Sequence, residues 1–150
     1  MLRLSKMTDY AVVVMGRLAS RPDERQSAAD VAANTGLPQA TVGQVLKALA
    51  SGGLVAGARG AQGGYLLSRR PDAISVAEIV VALDGPVAIT ACVEGADDPC
   101  SVEATCLLKG SWDAVNIAIE DALKQVTLAD MLAPLFQFNP PPTELREATS

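Results

Sequence analysis

The chain reads as a mostly α-helical protein with a small β-hairpin wing: a winged helix-turn-helix followed by a long dimerisation helix. Three features predict this. Two short amphipathic segments flank a Gly-containing turn within residues 27–53, and a glycine-rich hairpin with a basic tip follows at once. A heptad-like apolar stripe then runs over residues 108–126. With 49% hydrophobic residues but only 3% aromatics, the core has to be assembled from Ala, Val, Leu and Ile.

Taken in order, residues 4–19 place Met7, Ala11, Val14 and Leu18 on one helical face. The polar turn SRPDERQ ends that helix. Ser27 and Asp30 form a capping-box variant that opens a short helix over SAADVAANT, and Gly36 closes it, since a left-handed C-cap suits glycine. Pro38 stands where the next helix begins, its ring preset for a first turn. PQATVGQVLKALASGG carries Val42, Val45, Leu46 and Leu49 on one face and stops at Gly52-Gly53. In LVAGARGAQGGYLLS, the apolar runs LVA and YLL flank a Gly-rich tip bearing Arg59, which predicts a hairpin wing. A phosphate-cradling loop is excluded because no P-loop Lys-Ser/Thr follows and the loop leads into a strand-like run. Ser75 caps a fourth helix, SVAEIVVALDG, ended by Gly85-Pro86. A longer helix is expected from about Ala104 to Gln125. Its stripe is Leu108, Trp112, Val115, Ile119, Ala122 and Val126, and Leu107, Ile117 and Leu123 form a second apolar face. A small winged helix cannot cover both faces, so pairing with the same helix of a second copy is expected. The resulting division is a DNA-binding unit at 1–70, a cysteine loop and dimerisation region at 71–134, and a polar, Pro-rich tail at 135–150 expected to be disordered.

Charge is divided unevenly along the chain. The net charge is −5, yet residues 1–70 carry nine basic and four acidic side chains, whereas residues 71–150 carry three and thirteen. Such a split directs the first half towards a polyanion, and a winged helix-turn-helix with that basic excess points to a double-stranded DNA operator. The second helix of a helix-turn-helix enters the major groove, and Gln39, Thr41, Gln44 and Lys47 lie off its apolar face as the candidate contacts. Arg59 at the wing tip suits a narrow minor groove, and Lys6, with Arg3, suits phosphates. No run of about 18 apolar residues is present and the N-terminus makes a poor signal peptide, so a cytoplasmic protein without a membrane partner is expected. With no histidine base and no nucleophile beside a recognisable partner, the chain reads as neither an enzyme nor a protein with a small-molecule substrate.

All three cysteines lie in CVEGADDPCSVEATC, separated by seven and five residues, and the chain has no histidine. A structural zinc site favours close cysteine pairs and a fourth Cys or His, which are lacking here. A thiol switch fits Cys106 at the expected start of the long helix, where the dipole favours a thiolate. An iron–sulfur cluster also fits, since iron takes thiolates and not every ligand has to be Cys. Composition leaves the readings side by side.

The ordered set LSKMTDYAV, the GLP entry to the motif helix, ARGAQGGYLL, SVAEIVVALDG, the three cysteines and TLADML resembles the iron–sulfur-sensing winged-helix repressors typified by IscR, NsrR and RirA. The resemblance is greatest to the Suf-system regulators and runs from residue 1 to about 134. It implies a homodimeric repressor of iron–sulfur assembly genes. It also implies that Cys92, Cys100 and Cys106 are metal ligands to an iron–sulfur cluster (2Fe–2S or 4Fe–4S). One branch of the family adds a histidine three residues after the last cysteine, where this chain has Lys109. Another uses an Asp of the first helix, donated across the dimer, which corresponds to Asp9; Glu94, Asp97, Asp98 and Glu103 are local carboxylates that can substitute. Some relatives read cytosine with an acidic side chain where this chain has Gly43, so their sequence preference does not carry over.

Overall fold

The computed structural model describes residues 3–98 and 100–134. The tail at 135–150 lies outside the described residues. Helix α1 (Lys6–Ala19) is capped by Ser5, whose side chain accepts the Thr8 amide, and it buries Thr8, Ala11, Val14, Met15 and Leu18. The capping box of Ser27 and Asp30 opens α2 (Ala28–Thr35), and Gly36 ends it at φ 78°. Helix α3 (Gln39–Ser51) begins one residue later than expected, with Pro38 as its cap. Its residues Val42, Val45, Leu46 and Leu49 are fully buried, as the spacing predicted. Strands β1 (Val55–Ala58) and β2 (Gly64–Leu67) pair antiparallel, Val55 opposite Leu67 and Ala58 opposite Gly64.

Helix α4 (Val76–Asp84) starts at a capping box of Ser75 and Glu78. The long helix α5 (Ser111–Gln125) starts seven residues after the expected Ala104. Glu103–Thr105 forms only one 3₁₀ turn, and Gly110 then adopts φ 79°, a left-handed conformation that breaks any continuous helix from 104. Cys106 therefore precedes the helix by more than a turn and is not at its N-terminus, so the dipole argument for its thiolate falls away. A final short helix, α6 (Leu128–Leu132), has its own capping box of Thr127 and Asp130.

One core joins the two halves of the chain. Ile74, Ile79 and Leu128 pack with residues of α1, α2, α3 and β1 in a single buried cluster. Each fully buried Leu or Ile contributes about 1.5–3 kcal/mol. After α5 the chain returns to this core: the Leu128 amide donates to Ile74 O at 2.8 Å, and the Val76 amide donates to Val126 O at 2.8 Å. The C-terminal end of α5 is thus tied to the body of the fold. Among the described residues, no helix is long and apolar enough to cross a membrane.

Candidate nucleic-acid interface and cysteine loop

Burying the apolar face of α3 leaves Gln39, Gln44 and Lys47 exposed and Thr41 half-exposed on the opposite side. No side chain caps the α3 N-terminus, unlike those of α1, α2, α4 and α6, so its first amides stay available to an anion. The basic residues divide into two sets. Arg17 donates to Gln26 Oε1 at 2.8 Å, and Arg21, Arg69 and Arg70 pair with Glu24, Glu78 and Asp72. Among the described residues, no such partner engages the side chains of Lys6, Lys47 or Arg59, all exposed. Arg25 is exposed beside the wing, next to the bridge between Gln26 and Tyr65, and joins this set; sequence reasoning missed it because that bridge joins residues far apart in the chain.

The wing is held by Gln26. Its backbone exchanges two hydrogen bonds with Tyr65 (3.2 and 2.8 Å), and its buried amide side chain donates to Arg17 O at 3.2 Å. This added bridge fixes the hairpin to α1, so Arg59 at the tip moves with the body that carries α3.

The cysteine loop connects α4 to α5. Cys92, Cys100 and Cys106 are half-exposed free thiols, and the Cys92 Sγ lies 3.2 Å from the Thr90 hydroxyl. Backbone hydrogen bonds in this stretch are local, closing three-residue steps such as Ala96 to Val93, Thr105 to Val102 and Lys109 to Cys106. As a donor set, three thiols free of disulfides fit iron–sulfur chemistry. Their arrangement is another matter: among the described residues, no three Cys, His, Asp or Glu side chains gather into a metal-holding group. Asp9 stands exposed on the first turn of α1, and Glu94, Asp97 and Asp98 are exposed on the loop.

Cys92 lines an open cavity of about 670 Å³ together with Asp113, Asn116 and Ile117 of α5. Helix α5 buries only Asn116 against the rest of the chain and leaves Trp112, Val115 and Ile117 exposed at 44%, 43% and 55%. Leu107 and Leu108, just before it, are exposed at 100% and 60%. On the far side of the same segment, Asp84 accepts the Ser5 amide (3.1 Å) and the Thr8 hydroxyl (2.8 Å). Partial burial opposes ionisation of Asp84, but these bonds outweigh it and hold the carboxyl below its usual range. Sequence reasoning missed both Asn116 and Asp84, because their partners lie far away in the chain.

The fold described matches that of related proteins. The Rrf2 family model, described as an iron-dependent transcriptional regulator, matches residues 4–134. The transcriptional regulator IscR of Erwinia tasmaniensis is 33% identical over 132 residues, covering 87% of this chain and 79% of that protein. The structure of CymR, the global cysteine regulator of B. subtilis, matches with a TM-score of 0.65 at 29% identity over 88% of this chain and 97% of its own. T. potens IscR gives 0.64 at 31% identity, over 93% and 94%. These relatives are named as regulators, in line with a non-enzymatic protein. A winged helix-turn-helix, its basic face and a match spanning nearly the whole described chain lead to one conclusion: the protein belongs to the Rrf2 family of transcriptional regulators.

Proposed function

We propose that the protein is a homodimeric, DNA-binding repressor that senses an iron–sulfur cluster and controls iron–sulfur assembly genes. The observation that carries the sensing part is the placement of all three sulfur donors, free of disulfides, in the one loop between α4 and α5. Cys92, Cys100 and Cys106 would hold the cluster, with Asp9 or a loop carboxylate as an oxygen donor. A cluster held by three thiolates and one hard oxygen supplies a labile iron centre, suited to sensing. Drawing the thiols together orders the loop. Since that loop runs directly into α5, order there biases how two copies of α5 meet and hence the spacing of two recognition helices. The exposed apolar side of α5 supports the homodimer. Gln39, Thr41, Gln44 and Lys47 reach base edges in the major groove, Arg59 enters the minor groove, and Lys6 contacts phosphate.

A metal-free thiol switch is the second reading, supported by thiols that are half-exposed and not gathered. Anaerobic reconstitution with iron and sulfide separates the two. The cluster reading expects a brown protein with visible charge-transfer absorption, bound iron that falls in each Cys→Ala variant, and a different operator affinity for loaded and stripped forms. A colourless, iron-free product whose DNA affinity follows peroxide and recovers with dithiol overturns it in favour of the thiol switch.

A further inference from the structure

We infer that Asn116 is a positioning residue that clasps the Cys92 end of the cysteine loop to α5; the inference deepens the sensing role proposed above and rests on it. Asn116 is 6% exposed and is the buried residue of α5. Its Nδ2 donates to Val87 O at 2.8 Å, and its Oδ1 accepts the Ile89 amide at 3.0 Å. A carboxamide offers a donor and an acceptor side by side, matching the alternating carbonyl and amide of the 87–89 backbone. A carboxylate lacks the donor and an aliphatic side chain lacks both.

The placement gives the clasp its consequence. Ile89 lies three residues before Cys92, and Asn116 shares the Cys92 cavity. The far end of the same segment is held by Asp84, which bonds Ser5 and Thr8 at the start of α1. The strand of backbone that leads into Cys92 is therefore fixed at one end to the DNA-binding body and at the other to α5. Beyond Thr90 the backbone hydrogen bonds among the described residues are local turns, and Val93, next to Cys92 in sequence, is buried at 6% exposure. Asn116 thus helps to set where Cys92 stands, together with the buried Val93, while no hydrogen bond from Asn116 reaches the Cys100 or Cys106 stretch among the described residues.

The test uses the full-length chain, reduced and stripped of iron by a chelator, as wild type, Asn116→Ala and Asn116→Asp. Iodoacetamide labelling is followed separately at each cysteine by peptide mass spectrometry, and amide exchange is followed at Ile89. In the wild type, the Ile89 amide exchanges at least roughly tenfold slower than an open amide. Asn116→Ala abolishes that protection and speeds labelling of Cys92 about fivefold, with Cys100 and Cys106 within about twofold. Asn116→Asp retains the acceptor for Ile89 but not the donor to Val87, and gives a smaller rise at Cys92. Unprotected Ile89 in the wild type overturns the inference, whether or not either variant folds. So does an unchanged Cys92 rate, or an equal rise at all three cysteines, which marks general loosening. If wild-type protein takes up no iron on reconstitution, the sensing proposal fails while these readouts still decide the role of Asn116.

Discussion

Asp84 illustrates how one side chain couples distant parts of this fold. It ends α4, yet its carboxylate serves the first turn of α1 through the Ser5 amide and the Thr8 hydroxyl. Because its folded pKa is lowered, the stabilisation is complete above the ordinary aspartate pKa and is lost as pH falls through the depressed folded value. Asp84 is exposed, so solvent screening limits the effect to about 1 kcal/mol. Asp84→Ala is expected to lower Tm by about 3 °C at neutral pH. Urea midpoints of variant and wild type should converge as pH falls through the depressed folded value, where the carboxylate becomes protonated in the folded as well as the unfolded chain. A gap that persists unchanged into acid would assign the effect to packing and not to the charge.

The wing is where close approach of two backbones decides the outcome. Gly64 opens β2 at φ 138°, and an added Cβ would stand 2.8 Å from the Gln26 carbonyl carbon. Gly64→Ala therefore strains the backbone and pushes apart the bridge between Gln26 and Tyr65, at a cost of about 2 kcal/mol or more. Since that bridge orients the hairpin carrying Arg59, the variant should lose operator affinity alongside Arg59→Ala, roughly tenfold in each case, with the double variant less than additive. Titrations of fluorescent operator DNA, paired with thermal melts, check both effects. Helices α2 and α4 were legible at this scale from local signals: the Ser27–Asp30 capping box and the Gly36 stop for the first, the Ser75 cap and the Gly85-Pro86 stop for the second. The start of α5 was not. Its apolar stripe continues through Leu108, but Gly110 turns left-handed, and periodicity carries no record of that reversal.

At the scale of the molecule, a basic first half and an acidic second half share one core, and α5 remains the large apolar element that the protomer does not cover. Placing glutamate at Trp112 and Val115, exposed at 44% and 43%, should convert the proposed dimer to a monomer without unfolding it. Sedimentation velocity reads the change directly. Operator affinity should fall by about 100-fold or more, because the second half-site no longer binds as an intramolecular event. A double variant that still sediments as a dimer would place the interface elsewhere.

Local sequence was enough to specify the caps of α2 and α4, the buried face of α3 and most of that of α1 (Met7 is only half-buried, and Thr8 and Met15 join the face), the hairpin and the segregation of charge, since each depends on residues within a few positions of one another. The family signature was equally legible, being an ordered set of short motifs. Tertiary structure alone revealed that Leu128 closes the core, that Asp84 reaches back 79 residues to Ser5, and that Asn116 grips backbone 27 and 29 residues away. It also decided that the three thiols stand ungathered. Hydrogen bonds and packing across such separations depend on how whole elements are brought together, and no periodicity along the chain encodes which polar side chain will meet which distant amide.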